Sequence, residues 1–303
     1  MSSVLYDTPG PRAKQRNVIY TIVFLAAMAA LAWWVLAALA EKNQLDAAKW
    51  TPFVTDSQVW TTYLLPGLVE TLKAAALSIL IALPLGAALG LGRLSDHRWV
   101  RVPVGAVVEF FRAIPVLLLM MFAAQAYREF TAVSSDYVPL YAVVTGLVLY
   151  NASVIAEVVR AGVLSLPRGQ GDAAVALGMR KGQTMLYVLL PQAVTVMLPA
   201  LVSQLVVIVK DTALGGAMLG FADLLSQNRQ ITANYGANTI ATLTVIALIF
   251  IAINFALTTL ASRLEKRIRT GKKGPGATAI VPAQGGGVPA DAGSAAAEAA
   301  TGA

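Results

Sequence analysis

No cysteine occurs among the 303 residues, which excludes disulfides, thiolate nucleophiles and cysteine metal sites. The single histidine, His97, is too little for a histidine metal cluster within one chain. Charged residues make up only 13%, where a soluble domain carries about a quarter. With 57% hydrophobic residues, the balance is that of a polytopic membrane protein. The phosphate-cradling pattern G-x-x-x-x-G-K-[ST] is also missing, and the nearest stretch, Gly178 to Gln183, does not satisfy it. Any energy from ATP must therefore come through a separate polypeptide. An integral-membrane enzyme would need a cluster of His, Cys, Asp or Glu near one face, and none is legible. The net charge of +7 is read through its distribution along the chain, as positive-inside bias, and not as a nucleic-acid signal.

What is present is a series of apolar runs. Val18 to Ala40 is long enough to cross the roughly 30 Å hydrocarbon layer as a helix. Its basic flank and Ala38-Leu39-Ala40 ending have the look of a cleavable signal, but a signal's apolar core is only about 7–15 residues, which favours a retained anchor. Further spans are expected at 64–92, 102–127, 138–164, 187–211 and 238–262, giving an all-α membrane protein of about six transmembrane helices. The chain divides into a tail at 1–16, an added span at 17–40, an external segment at 41–62 with Trp50 and Trp60, a transmembrane domain at 63–265, and a tail at 266–303. From Gly274 onward that tail is too poor in large apolar residues to bury a core, so disorder is expected. The stretch 212–236, with Gly215, Gly216 and Gly220, is expected to lose helical regularity as a re-entrant or surface element.

Most of the 23 Lys and Arg residues fall on one side of this topology. Only Lys42, Lys49, Arg128 and Arg229 fall on the other, with Lys73 and Lys210 inside spans. The positive-inside rule places both termini and the loop at 160–190 in the cytoplasm.

Ionisable groups inside spans are costly and are functional candidates. Glu109 and Arg112 lie three apart, as do Glu157 and Arg160, so each pair can meet on a helix face. A helix-end ion pair and a part in gating or the substrate path both remain open for them. Lys210 and Asp211 follow a long apolar stretch. Lys210 could attract a substrate carboxylate or simply neutralise Asp211. Glu70 and Lys73 form a further possible pair. Gly86 and Gly90 make a small-xxx-small face, read as internal packing rather than a dimer surface.

The most unusual grammar lies between Glu157 and Pro191. Pro167, Gly169 and Gly171 are read as a flexible approach, Asp172 as the start of a short helix, and Gly178 as its stop. Ala173 and Ala174 keep the surface low enough for another protein's backbone to come close. Arg180 and Lys181 follow as a basic collar.

Here the sequence resembles the permease subunits of bacterial ATP-binding-cassette importers. Their signature runs Glu-Ala-Ala, three residues, Gly, nine residues, Ile, one residue, Leu-Pro. It stands here as Asp172-Ala173-Ala174, Gly178, Val188 and Leu190-Pro191, with every spacing kept. Glu109-Phe110-Phe111-Arg112-Ala113-Ile114-Pro115, Leu149 to Glu157 with Asn151 and Ser153, and Lys210-Asp211-Thr212-Ala213-Leu214 are similar to segments of the polar amino acid group, its glutamate-type members above all. The resemblance covers roughly residues 60–265. It implies a type I importer permease fold with a cytoplasmic coupling helix formed by Gly171, Asp172, Ala173, Ala174, Leu177 and Gly178. It further implies a dimer of cytoplasmic ATPases that bind ATP and Mg, a second permease chain, related or identical, and an external substrate-binding protein. The substrate would be a polar amino acid, with Lys210, Asp211, Glu157, Ser153, Asn151 and Arg112 as candidates for its path. This chain itself would hold no cofactor. A secondary transporter driven by an ion gradient is the competing reading, but such proteins commonly show inverted repeats, and no convincing repeat is seen.

Overall fold

The structure, a computed structural model, describes residues 10–270. Residues 1–9 and 271–303, which hold most of the two expected tails, lie outside the described residues. Helix α1 spans Pro11–Glu41. It begins earlier than the expected residue 17 because Pro11 sits in its first turn, where a missing N–H costs no bond. The following segment folds as α2 (Ala47–Trp50), α3 (Pro52–Thr55) and a π-helical turn at Val59–Leu64 that runs into α4 (Leu65–Arg93). Then come α5 (Arg98–Ala113), α6 (Val116–Phe130), α7 (Val138–Leu164), α8 (Arg168–Ala176) and α9 (Lys181–Gln183). A second π-helical turn, Thr184–Leu189, leads into α10 (Leu190–Met218), followed by α11 (Gln227–Asn234) and α12 (Thr239–Thr270).

Among the described residues, five helical runs are long and apolar enough to cross a membrane, or six if α5 and α6 together count as one broken span. That pair corrects an expectation. The single span at 102–127 is instead two helices bent by 101°. Pro115 has no N–H to continue the α5 ladder and forces the residue before it out of the helical region; Ile114 accordingly lies at ψ 130. The expected irregularity after Asp211 is corrected as well, since α10 stays helical to Met218. Gly215 and Gly216 are both buried there, and they serve close packing against α7 and the following loop instead of breaking the helix.

Helix α7 is the centre. In its most apolar stretch 61% of residues are buried, against 0% for α1. Helices α4, α6 and α10 pack around it, and α12 packs on α10. The α4–α7 seam is made by small residues: Ala74, Ala75, Ser78, Ala82, Gly86 and Gly90 lie on the buried stripe of α4. A Cβ on Gly86 would meet Ile155 at 2.6 Å, and one on Gly90 would meet Val159 at 2.8 Å. The small-xxx-small face is therefore internal packing, as expected, and it lets two backbones approach closely. At the end of the bundle away from α8, Phe53, Val59 and Leu64 join Leu224, Ile231 and Ile246 in one apolar cluster. The segment before α4 is thus packed onto the α11–α12 region, and Tyr235 clamps it by donating its hydroxyl to Asp56 Oδ2 at 2.6 Å.

Candidate functional site

Helix α8 stands where α7 and α10 leave the bundle. Pro167 caps its start, so it opens at Arg168, and Gly169, Gly171 and Asp172 lie inside it. The expected flexible approach and a start at Asp172 are both corrected: Pro167 is the N-cap at ψ 130, and the run Arg168 to Gln170 makes the first turn, with Gln170 N–H donating to Pro167 O at 3.0 Å. The stop at Gly178 is as expected. Gly178 takes φ +77, its N–H donates to Val175 O at 2.9 Å, and Met179 N–H donates to Ala174 O at 3.1 Å. These two bonds form a Schellman motif, in which glycine supplies the left-handed residue at no steric cost.

The surface α8 offers also differs in one place. Ala174 is buried against its own chain, so only Ala173 of the alanine pair lies open. Asp172, Ala173 and Ala176 are exposed. Beside them stand Val175 and, at 84% exposure, Leu177. Two large apolar side chains held outward on a short polar helix make a contact surface. Its footing comes from both sides. Gln192 of α10 donates to Gln170 Oε1 at 3.3 Å. Lys181 Nζ donates to Leu94 O at 3.3 Å and pairs with Asp96 in the α4–α5 loop, which holds the Asp96 carboxyl below its usual range.

Behind that loop lies an ion network across three helices. Arg93, in the last turn of α4, donates to Glu157 Oε2 of α7 at 2.8 Å and to Glu109 Oε1 of α5 at 2.9 Å. Arg160 donates to Glu157 Oε1 at 2.5 Å, and Arg112 approaches Glu109 at 3.4 Å. The two (i, i+3) pairs expected from sequence are present, but Arg93 joins them into one unit, and its side chain is only 15% exposed. Arg93 is not among the candidates that the sequence marks. Its two partners come from other helices, and spacing along one helix carries no signal for such contacts.

The remaining candidates divide. Asn151 is fully buried, donates to Leu147 O at 2.7 Å and receives a hydrogen bond from Gln204 of α10. Ser153 is buried and donates to Tyr150 O at 2.6 Å. Both are satisfied within the helix bundle. Lys210 instead lines a cavity of about 720 Å³ between α10 and α12, with Val206, Ala213, Ile246, Phe250 and Asn254 among the other walls. Among the described residues it is the one charged side chain on that lining, while Asp211, next to it in sequence, is not part of it. No ion pair joins the two among the described residues. Glu70 and Lys73 do pair, at 3.3 Å.

Apolar helices of spanning length, with a short capped helix carried outside them between two spans, are the build of a type I importer permease. The chain belongs to the family described as binding-protein-dependent transport system inner membrane component, which its residues 82–270 match. It is 50% identical over 246 residues to the glutamate transport system permease protein GluD of Corynebacterium glutamicum, covering 81% of this chain and 89% of that protein. It is 30% identical over 210 residues to the glutamate/aspartate import permease protein GltK of Escherichia coli O6:H1, covering 68% and 93%. Among solved structures, an amino acid ABC transporter crystallised with histidines matches with TM-score 0.62 at 28% identity, covering 69% of this chain and 95% of that one. The chain is a permease subunit of an ABC importer, and nothing found favours the secondary transporter.

Proposed function

We propose that this permease carries a polar amino acid, glutamate first, into the cell. Over 246 residues it is 50% identical to a glutamate permease, an alignment that covers most of both chains. The α8 end faces the cytoplasm, because the basic residues concentrate there. There α8 seats in a dimer of ABC ATPases, which bind ATP and Mg, while a second permease chain, related or identical, completes the path through the lipid bilayer. An external binding protein delivers substrate from the opposite side.

The observation that carries this reading is the capped helix itself, with Val175 and Leu177 turned outward. Movement of α8 reaches α10 through Gln170 and Gln192. Helix α10 then runs unbroken to Lys210, a distance of about 27 Å at 1.5 Å per residue. A lysine in mid-membrane costs on the order of 3 kcal/mol unless something answers its charge. A substrate carboxylate in the cavity would do so, which gives Lys210 a direct part in the path.

Replacing Gly178 by valine tests the reading. A β-branched residue at φ +77 is strained, so the end of α8 must shift. Uptake by the assembled importer is expected to vanish while the protein remains inserted in the membrane. Undiminished uptake in the variant, or uptake by the parent protein with no ATPase present, would overturn the proposal.

A further inference from the structure

Helix α5 is built unlike the spanning helices. At 16 residues it is about 24 Å long, and it meets α6 at 101°. Helix α6 itself runs antiparallel along α7. Met120 lies against Gly146, and Tyr127 shares a 2.9 Å hydrogen bond with Thr145. Helix α5 therefore lies nearly across the bundle axis, at the end that carries Arg93, Arg160 and α8.

At 3.6 residues per turn its side chains fall into three sectors. Val104, Val108 and Phe111 face the bundle and are buried or half-buried. Arg98, Arg101, Glu109 and Arg112 share a second sector. Trp99, Pro103, Ala106 and Phe110 occupy a third, roughly opposite the charged one, and all four are exposed. Trp99 is 92% exposed. Arg98, Trp99, Val102 and Pro103 also bound a hollow of about 540 Å³. Glu109 and Arg112 belong to the ion network, but Arg98 and Arg101 make no ion pair among the described residues. The carboxylate nearest in sequence, Asp96, is taken by Lys181.

We propose that α5 lies in the membrane plane as an anchor and binds acidic phospholipid, with Arg98 and Arg101 on headgroup phosphate and an acyl chain along Trp99, Val102 and Pro103. A helix with a cationic face, an opposed aromatic-apolar face and little net hydrophobicity is the kind that settles at the headgroup boundary. Arginine takes phosphate with its planar fork, and tryptophan concentrates at that depth. Because α5 also carries Glu109, the lipid would set how that carboxylate meets Arg93. The proposal does not depend on which substrate is carried.

The absence of cysteine allows the test. Trp99→Cys, Phe110→Cys, Arg98→Cys and Arg101→Cys are each spin-labelled in the assembled importer, made with cysteine-free partner chains, in phosphatidylcholine vesicles containing phosphatidylglycerol. Labels at 99 and 110 are expected to collide with oxygen in preference to a water-soluble nickel chelate, and labels at 98 and 101 the reverse. Water-exposed labels at 99 and 110, or labels immobilised there by a partner chain, would overturn the anchor. Uptake is then compared in vesicles with and without phosphatidylglycerol. The Arg98→Gln/Arg101→Gln variant is expected to retain uptake in phosphatidylcholine alone but to lose the increase that acidic lipid gives the parent. The Arg98→Lys/Arg101→Lys variant is expected to keep most of it. Electrostatic attraction of this kind is worth about fivefold per basic residue. An unchanged lipid dependence in the glutamine variant would sink the proposal, as would loss of the dependence in the lysine variant.

Discussion

Arg93 and Glu157 meet at 2.8 Å although 64 positions separate them in the chain, and this contact ties the last turn of α4 to α7. Because Arg93 also holds Glu109, three helices are fixed at the end that supports α8. The α4–α5 loop that starts beside Arg93 is in turn fastened to Lys181, just beyond α8. Helix α8 thus rests on a braced corner of the bundle.

Arg93→Gln should expose that brace. Both carboxylates keep one arginine partner, Arg160 for Glu157 and Arg112 for Glu109. The expected loss is therefore moderate, about 1.5–2 kcal/mol, the lower part of the range for a hydrogen bond to a charged group. A double-mutant cycle with Glu157→Gln, read by thermal unfolding, is expected to show coupling of about 1 kcal/mol. Simple additivity of the two substitutions would contradict the contact.

Leu177→Asp separates docking from folding. At 84% exposure the leucine supports little of the permease's own core, so the melting temperature should barely move. A truncated apolar anchor at an interface centre costs about 2 kcal/mol or more. Retention of the ATPase subunits on purification should accordingly fall more than tenfold.

The α4–α7 seam predicts an effect of size alone. Gly86→Val would push a side chain into Ile155, 2.6 Å from the new Cβ, and overpacking of this kind costs about 1–3 kcal/mol. Gly105→Ala is the control, since nothing lies within 4 Å of a Cβ there. Thermal stability of the two variants should differ by at least about 1 kcal/mol.

Asp223, in the loop between α10 and α11, gives the molecule a pH dependence. It is fully buried, with Oδ1 accepting from Ser226 N–H at 2.9 Å and Oδ2 without a hydrogen-bond partner among the described residues. Burial pushes its pKa up to about 6, against the lowering effect of its backbone hydrogen bonds. A folded-state pKa above the unfolded one means that the folded chain binds the proton more tightly. Its contribution is complete below about pH 4 and disappears as pH rises through 6. Unfolding of the purified importer should therefore occur at higher temperature at pH 5 than at pH 7. Asp223→Asn should flatten that difference, and an undiminished slope in the variant would assign it elsewhere.

Much of the architecture is legible in the sequence. Long apolar runs mark spans because a helix satisfies its own backbone hydrogen bonds in lipid, and the Gly178 stop is readable because a left-handed residue favours glycine. Two elements are not legible there because a single residue type has two uses. Pro115 bends a run that composition alone joins into one span. Gly215 and Gly216 have the composition of a helix breaker yet lie at a packing contact. Among the site candidates, Asn151 and Ser153 have the residue types of a polar path, but their hydrogen bonds stay inside the bundle.

Composition and hydrophobic length by themselves determined that this is a helical membrane protein, and a short motif, read through its likeness to importer permeases, marked where the helix that Gly178 stops lies along the chain. Both are properties of periodicity, hydrophobic length and a short motif, all of which are local. Only the tertiary structure decided that Arg93 unites two ion pairs, that Lys210 lines a cavity while Asp211 does not, and that α5 turns across the bundle. Those outcomes depend on which helix faces are brought together, and separation along the chain carries no record of that.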